Sequence, residues 1–181
     1  TLRGKVLAIG GLKEKALAAG QHKVGDCEVK LSINDTLGVR MVRRQEVNIG
    51  DFCCDAFRLM LQTDVALLNG GAFRADILPG EVTYNDCYAV FPFQNTACIG
   101  SMTGQQLDAL EFSVCYLPKE DGSFMQVSGM KFEVDLSVPT PVIMGEDGLF
   151  SRVGSGARRV RYLKIWDQNS GTYLPVDLNR R

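Results

Sequence analysis

Histidine is almost missing from this chain. Among 181 residues there is one, His22. Hydrolytic metal centres gather several His and Asp ligands, so a single histidine in the loop Gly20-Gln21-His22-Lys23 cannot furnish one. His22 is read as an exposed loop residue. Long apolar runs are also missing. None reaches the roughly 18 residues that a membrane-spanning helix requires. Charge of one sign is not in excess either: 20 Lys and Arg stand against 21 Asp and Glu, for a net charge of −1. Duplex nucleic acid needs a cationic footprint, and that balance provides none. The one basic run, Arg158-Arg159-Val160-Arg161, reads as a solvated strand with Arg159 and Arg161 on one charged face. The start, Thr1-Leu2-Arg3-Gly4-Lys5, lacks the apolar centre of a signal peptide. With no initiator Met, the chain reads as an excised piece.

Catalytic signatures are lacking too. There is no G-x-S-x-G, no phosphate-binding Walker loop and no H-E-x-x-H. Carboxylate pairs such as Glu81 and Asp86 are explained as ordinary surface groups, so no self-contained active site is expected. Six cysteines, Cys27, Cys53, Cys54, Cys87, Cys98 and Cys115, form no C-x-x-C and no small-scaffold pattern. Most are expected to act as small buried hydrophobes. A disulfide between distant cysteines stays open if the protein is exported.

What is present is the material of one soluble domain. Apolar residues make up 45% and charged residues 23%, ordinary values for a globular chain. Val6, Leu7, Ile9, Leu12, Ala16 and Leu17 predict a helix over 5–20 despite two glycines. It is read as an interdomain linker occupying residues 1–24, with the domain proper over 25–181. Val24-Gly25-Asp26 predicts a turn and Cys27–Leu31 a strand. Asn48 is expected to cap a helix that carries Asp51 in its first turn. Ile49, Phe52, Cys53, Ala56, Phe57 and Met60 are its expected buried face. Val65–Leu68 reads as a buried strand and Pro79-Gly80 as a type II turn. Thr83 and Asp86 read as the cap of a short helix, and Thr96–Met102 as a strand. Thr103-Gly104-Gln105-Gln106 reads as a capping box for a helix with Leu107, Leu110 and Val114 inward, stopped by Pro118. Two strands broken at Gly129 follow, then an exposed, loop-rich insertion over 137–157. A last strand, Val160–Trp166, turns at Asn169-Ser170-Gly171 onto Tyr173–Val176. Strands and helices mix without strict alternation, so the expected class is α+β with a mixed sheet packed against helices.

The sharpest feature is Asn69-Gly70-Gly71-Ala72-Phe73-Arg74, directly after the strand. About twenty residues later comes Pro92-Phe93-Gln94-Asn95. Arg43 precedes a helix N-terminus, whose free N–H groups favour an anion. Arg74 follows a glycine turn, and two arginines from separate segments can fork onto one phosphate. A ring at Phe93, its approach fixed by Pro92, can stack on a base. The plainer alternative makes Arg43 and Arg74 surface ion pairs and Phe93 a core residue.

These segments, with Arg43-Arg44-Gln45-Glu46-Val47-Asn48-Ile49-Gly50, Gly80-Glu81-Val82-Thr83-Tyr84, Thr103-Gly104-Gln105-Gln106-Leu107 and Gln126-Val127-Ser128-Gly129, carry a resemblance. From about residue 27 onward the chain resembles the C-terminal domain of the 5′-nucleotidase family, which includes nucleotide-sugar hydrolases and cyclic-nucleotide phosphodiesterases. The resemblance implies that Arg43 and Arg74 hold phosphate and ribose and that Asn69 offers an amide to the base. It also implies that Phe93 is one of two rings sandwiching the base, and that Gly71 and Gly122 bring backbone against the ligand. It implies an N-terminal metallophosphatase domain with two divalent metal ions, absent from this chain, no cofactor in this domain itself, and an extracytoplasmic location. The family pattern continues past the strand near Tyr173 to a Gly-Gly-Asp-Gly-aromatic loop with the second ring, a loop that would lie beyond Arg181. The competing reading is a non-catalytic nucleoside-binding or surface interaction module that keeps the fold.

Overall fold

In the computed structural model the described residues are 18–93, 95–103 and 108–176. Nine strands and three α-helices of six or more residues follow one another along them, with a 3-10 turn at Gly70–Ala72. They are β1 (Lys23–Cys27), α1 (Asn48–Leu61), β2 (Ala66–Asn69), β3 (Gly80–Thr83), α2 (Tyr84–Val90), α3 (Asp108–Ser113), β4 (Met125–Ser128), β5 (Met130–Val134), β6 (Val142–Met144), β7 (Phe150–Val153), β8 (Val160–Asp167) and β9 (Thr172–Pro175). All described pairings are antiparallel: β1 with β3, β2 with β4, β5 with β8 and β9, β6 with β7. The class is α+β, as the sequence predicts.

Local signals hold well. Asp86 accepts hydrogen bonds from the Thr83 backbone N–H at 2.8 Å and hydroxyl at 2.6 Å, fixing the start of α2. Gly129 separates β4 from β5 at φ +75°. Asn169–Gly171 turns β8 back onto β9, with Ile165 opposite Leu174.

Other expectations fail for non-local reasons. The first strand is Lys23–Cys27, not Cys27–Leu31, because its partner is β3, with Cys27 opposite Gly80. The expected turn at 24–26 is therefore strand. Leu31 makes only an isolated bridge to Ile77. Asn48 does not cap α1; Val47 holds that position with no side-chain bond. The Asn48 amide instead accepts from Ser32 N–H and donates to the Lys30 carbonyl, both at 2.9 Å. The buried face of α1 centres on Ile49, Gly50, Cys53 and Cys54. Phe52, Ala56 and Met60, expected inside, are exposed. The face rotates because α1 packs on β2 and β4, where Gln126 fills the space a side chain at Gly50 would take. Residues 96–102 form no strand. The insertion over 137–157 is not loop alone: β6 and β7 make a hairpin, and Phe150 meets Phe112 near α3 at 5.5 Å between ring centroids. The capping box at 103–106 and most of the linker helix lie outside the described residues. Within α3 and just beyond it, Leu110 and Val114 are buried as expected. Only Cys53 and Cys54 are fully buried; Cys87 and Cys98 are exposed, and all six thiols are free.

The basic run is solvated at Arg158 and Arg161, as expected, but Arg159 is tied inward. Arg158 pairs with Asp108 at 2.6 Å and Arg161 with Asp135 at 3.0 Å. Arg159 donates to the carbonyls of Val114, Cys115, Leu117 and Val138 at 2.9–3.2 Å. A cation there satisfies the carbonyls left over where α3 ends.

Asp51 is not the simple helix-dipole anion that its position predicts. Burial, followed by Glu46 and Asp55, pushes its carboxyl from 3.8 up to about 6. The folded chain thus keeps a proton that the unfolded chain has released between those two values, so stability is expected to fall as pH rises through that window. Asp51→Asn is expected to flatten this slope. Parallel slopes for parent and variant in urea titrations across the window would refute it.

Candidate functional site

The loop between β1 and α1 is a tight return. Asp35 accepts from Leu37 N–H at 2.9 Å and Val39 N–H at 2.8 Å. Met41 and Val42 N–H both donate to the Ile33 carbonyl. The return places Arg40 and Arg43 on the side of α1 that faces the end of β2. There Gly70 lets two backbones meet: a Cβ at that position would lie 2.2 Å from the Val42 carbonyl oxygen. No other residue type fits so close an approach.

The six residues singled out from the sequence assemble in one place. The Gly122 carbonyl accepts from the Gly71 N–H and from the Asn69 side-chain amide, both at 3.0 Å. Asp121 N–H donates to the Arg43 carbonyl at 3.1 Å. Asn69, Gly71, Gly122 and Arg43 therefore share one hydrogen-bonded shelf. Across from it, Arg74 N–H donates to the Val90 carbonyl at 3.0 Å, which joins it to the end of α2. Its guanidinium carbon sits 5.7 Å from the Phe93 ring centroid. Phe93 is 56% exposed, so the core reading of that ring does not hold. Asn69, Ala72 and Phe93 help line a cavity of about 1100 Å³, together with Phe57, Phe91 and Trp166.

A residue that sequence reasoning missed joins them. Arg40 donates to the Phe73 carbonyl at 2.6 Å, one residue before Arg74. Burial and then the charges of Arg43 and Arg74 lower its guanidinium below the ordinary value, with Glu120 acting the other way. Among the described residues none of these three arginines pairs with a carboxylate. The Nε atoms of Arg40 and Arg43 are buried without a hydrogen-bond partner. Orphaned buried donors on charged groups are costly; Arg44 Nε and Ser123 Oγ share this condition. The ion-pair reading of Arg43 and Arg74 accordingly fails. No motif reveals Arg40, because what ties it to the site is its bond to the Phe73 carbonyl, 33 residues further along the chain.

Gln126 was visible only as part of a motif. It is 1% exposed. Its side-chain amide donates to the carbonyls of Val42 at 3.0 Å and Gln45 at 2.8 Å and accepts from Val47 N–H at 3.1 Å. It pins the Arg43 segment to β4. Among the described residues no group of three or more His, Cys, Asp and Glu side chains is placed to hold a metal ion. No described helix is long and apolar enough to cross a membrane.

The family model for the 5′-nucleotidase C-terminal domain matches residues 23–181. A second model, for the Lon protease (S16) C-terminal proteolytic domain, matches residues 1–43, a minority of the chain that begins ahead of the first match. The trifunctional nucleotide phosphoesterase YfkN of Bacillus subtilis is 33% identical over 101 residues, covering 53% of this chain and 7% of that protein. A 5′-nucleotidase of Vibrio parahaemolyticus is 32% identical over 110 residues, covering 60% and 20%. Among solved structures, a 5′-nucleotidase precursor from Thermus thermophilus superposes with a TM-score of 0.73 at 30% identity, covering 94% of this chain and 30% of that one. The chain thus spans less than a third of the length of these relatives.

Proposed function

Because this chain belongs to the 5′-nucleotidase C-terminal domain family, we propose that it is the nucleotide-recognition domain of a nucleotide phosphohydrolase. The observation that carries the reading is the set of three unneutralised arginines beside an exposed ring. Arg40, Arg43 and Arg74 supply the charge for phosphate. Phe93 offers a stacking face for the base, and the shelf of Asn69, Gly71 and Gly122 offers an amide and close backbone to the base edge. Hydrolysis would occur on two divalent metal ions in an N-terminal metallophosphatase domain of the same polypeptide, which activate water for attack on the phosphate ester. The names of relatives such as the Bacillus phosphoesterase, the Vibrio 5′-nucleotidase and the Haemophilus NAD 5′-nucleotidase favour this over a module that merely keeps the fold. An extracytoplasmic location accords with the precursor status of the Thermus relative.

The test is Phe93→Ala in the full-length protein. Base stacking on an aromatic ring contributes about 1–3 kcal/mol, so KM for a nucleoside monophosphate is expected to rise roughly five- to a hundredfold. Turnover at saturation is expected to change much less. An unchanged KM would remove Phe93 from the site.

A further inference from the structure

We propose that Arg74 is a latch on the Phe93 ring: its guanidinium covers the ring face that takes the base until a phosphate group draws it off. The inference rests on the nucleotide-recognition reading above and adds to it a reason why a phosphorylated ligand is preferred to a bare nucleoside. The Arg74 guanidinium carbon lies over the Phe93 ring, 5.7 Å from its centroid. Stacked aromatic rings keep their centroids about 4.5–7 Å apart, so the cation stands in the layer that a stacked base would fill. A single ribose joins base to phosphate. The base must therefore lie on the side of the ring that faces the arginines, and that is the covered side.

Only the side chain of Arg74 is free to move. The peptide unit that joins Phe73 to Arg74 is bonded at both ends: Arg40 donates to its carbonyl at 2.6 Å, and its N–H donates to the Val90 carbonyl at 3.0 Å. Phe93 comes three residues after Val90, so ring and arginine hang from the same joint. No carboxylate competes for the guanidinium. Asp76, two residues on, is engaged by Lys30 at 2.8 Å, by the Ser32 hydroxyl at 3.1 Å and by Ile33 N–H at 2.8 Å. Among the described residues Arg74 forms no ion pair, and the negative face of the ring is where its charge rests. A phosphate offers full charge and several acceptor oxygens, a stronger partner than a ring. A nucleotide thus opens the latch with its own phosphate. A nucleoside must displace the cation with nothing to offer in return.

The experiment dialyses radiolabelled adenosine, guanosine, cytidine and uridine to equilibrium against the full-length protein, with and without inorganic phosphate at constant ionic strength. Saturating phosphate is expected to tighten at least one nucleoside about two- to fivefold, the strength of an exposed cation–π contact. By reciprocity that nucleoside tightens phosphate by the same factor. Arg74→Gln is expected to give the nucleoside the same gain without phosphate, to abolish the phosphate effect and to raise KM for the nucleoside monophosphate. An arginine that merely propped the ring would lose both ligands together. The latch is overturned by the lack of a phosphate effect on all four nucleosides, by an effect that survives Arg74→Gln, or by a nucleoside that Arg74→Gln weakens. Phe93→Ala separates this failure from failure of the site. A raised KM beside no phosphate effect removes the latch alone, whereas an unchanged KM removes the ring from the site and the latch with it.

Discussion

Gly129→Ala is expected to cost about 3–5 kcal/mol, from left-handed backbone strain together with overpacking. The position has φ +75°, and a Cβ there would lie 2.1 Å from the Asp64 carbonyl oxygen and 2.8 Å from Arg58 Cδ. The arginine end can swing aside, but the Asp64 carbonyl is backbone just ahead of β2 and cannot. Gly129 cannot slide away either, because its own carbonyl accepts from Trp166 N–H at 2.8 Å. Such a loss is a large fraction of the roughly 5–15 kcal/mol that holds a domain together. Urea or thermal melts would read it as a fall of many degrees or as failure to accumulate folded protein. A melting midpoint within a degree or two of the parent would mean that the β4–β5 corner relaxes far more than its contacts imply.

Arg74→Ala is expected to leave the fold intact and to weaken a nucleoside monophosphate about ten- to a hundredfold, the size of a lost charge-assisted hydrogen bond or pair of bonds. The side chain is exposed, and the bond from its backbone N–H to Val90 survives the substitution. Binding of the nucleoside without phosphate should change far less. The two ligands together make the measurement decisive. Equal losses for both would show that Arg74 works by supporting Phe93, at 5.7 Å, and not by meeting phosphate.

The parts of this fold that can be read directly are those decided by neighbours in sequence. The Thr83–Asp86 cap, the hairpin at Asn169–Gly171 and the break at Gly129 each follow from a few consecutive residues. The parts that cannot are decided by partners far along the chain. Cys27–Leu31 alternates like a strand, yet pairing with Gly80–Thr83 moves the strand to Lys23–Cys27. The apolar stripe of α1 fits a helix, but Phe52 and Met60 lie outside because β4 presents Gln126 at Gly50. The site divides in the same way. Arg43, Asn69, Gly71, Arg74, Phe93 and Gly122 could be named from motif resemblance, and the structure brings them together. Arg40 acts through a contact with Phe73, 33 residues on, that no motif marks, and the motif that contains Gln126 does not show its role as a buried anchor.

The buried amide has a consequence for the folding chain. Gln126 stands opposite Leu68 in the ladder of β2 and β4, and Asn69 stands opposite Met125. Side chains alternate faces along a strand, so a slip of one residue would turn Gln126 to the other side of the sheet. The segment carrying Arg43 would then lose its three anchors, and Asn69 would part from Gly122. A mispaired chain would hold Arg43 away from the place where the proposed phosphate contact needs it. Strand alignment and the proposed nucleotide grip are therefore one requirement: the β2–β4 frame that buries Gln126 is the frame that sets the Arg43 segment beside Asn69 and Gly122.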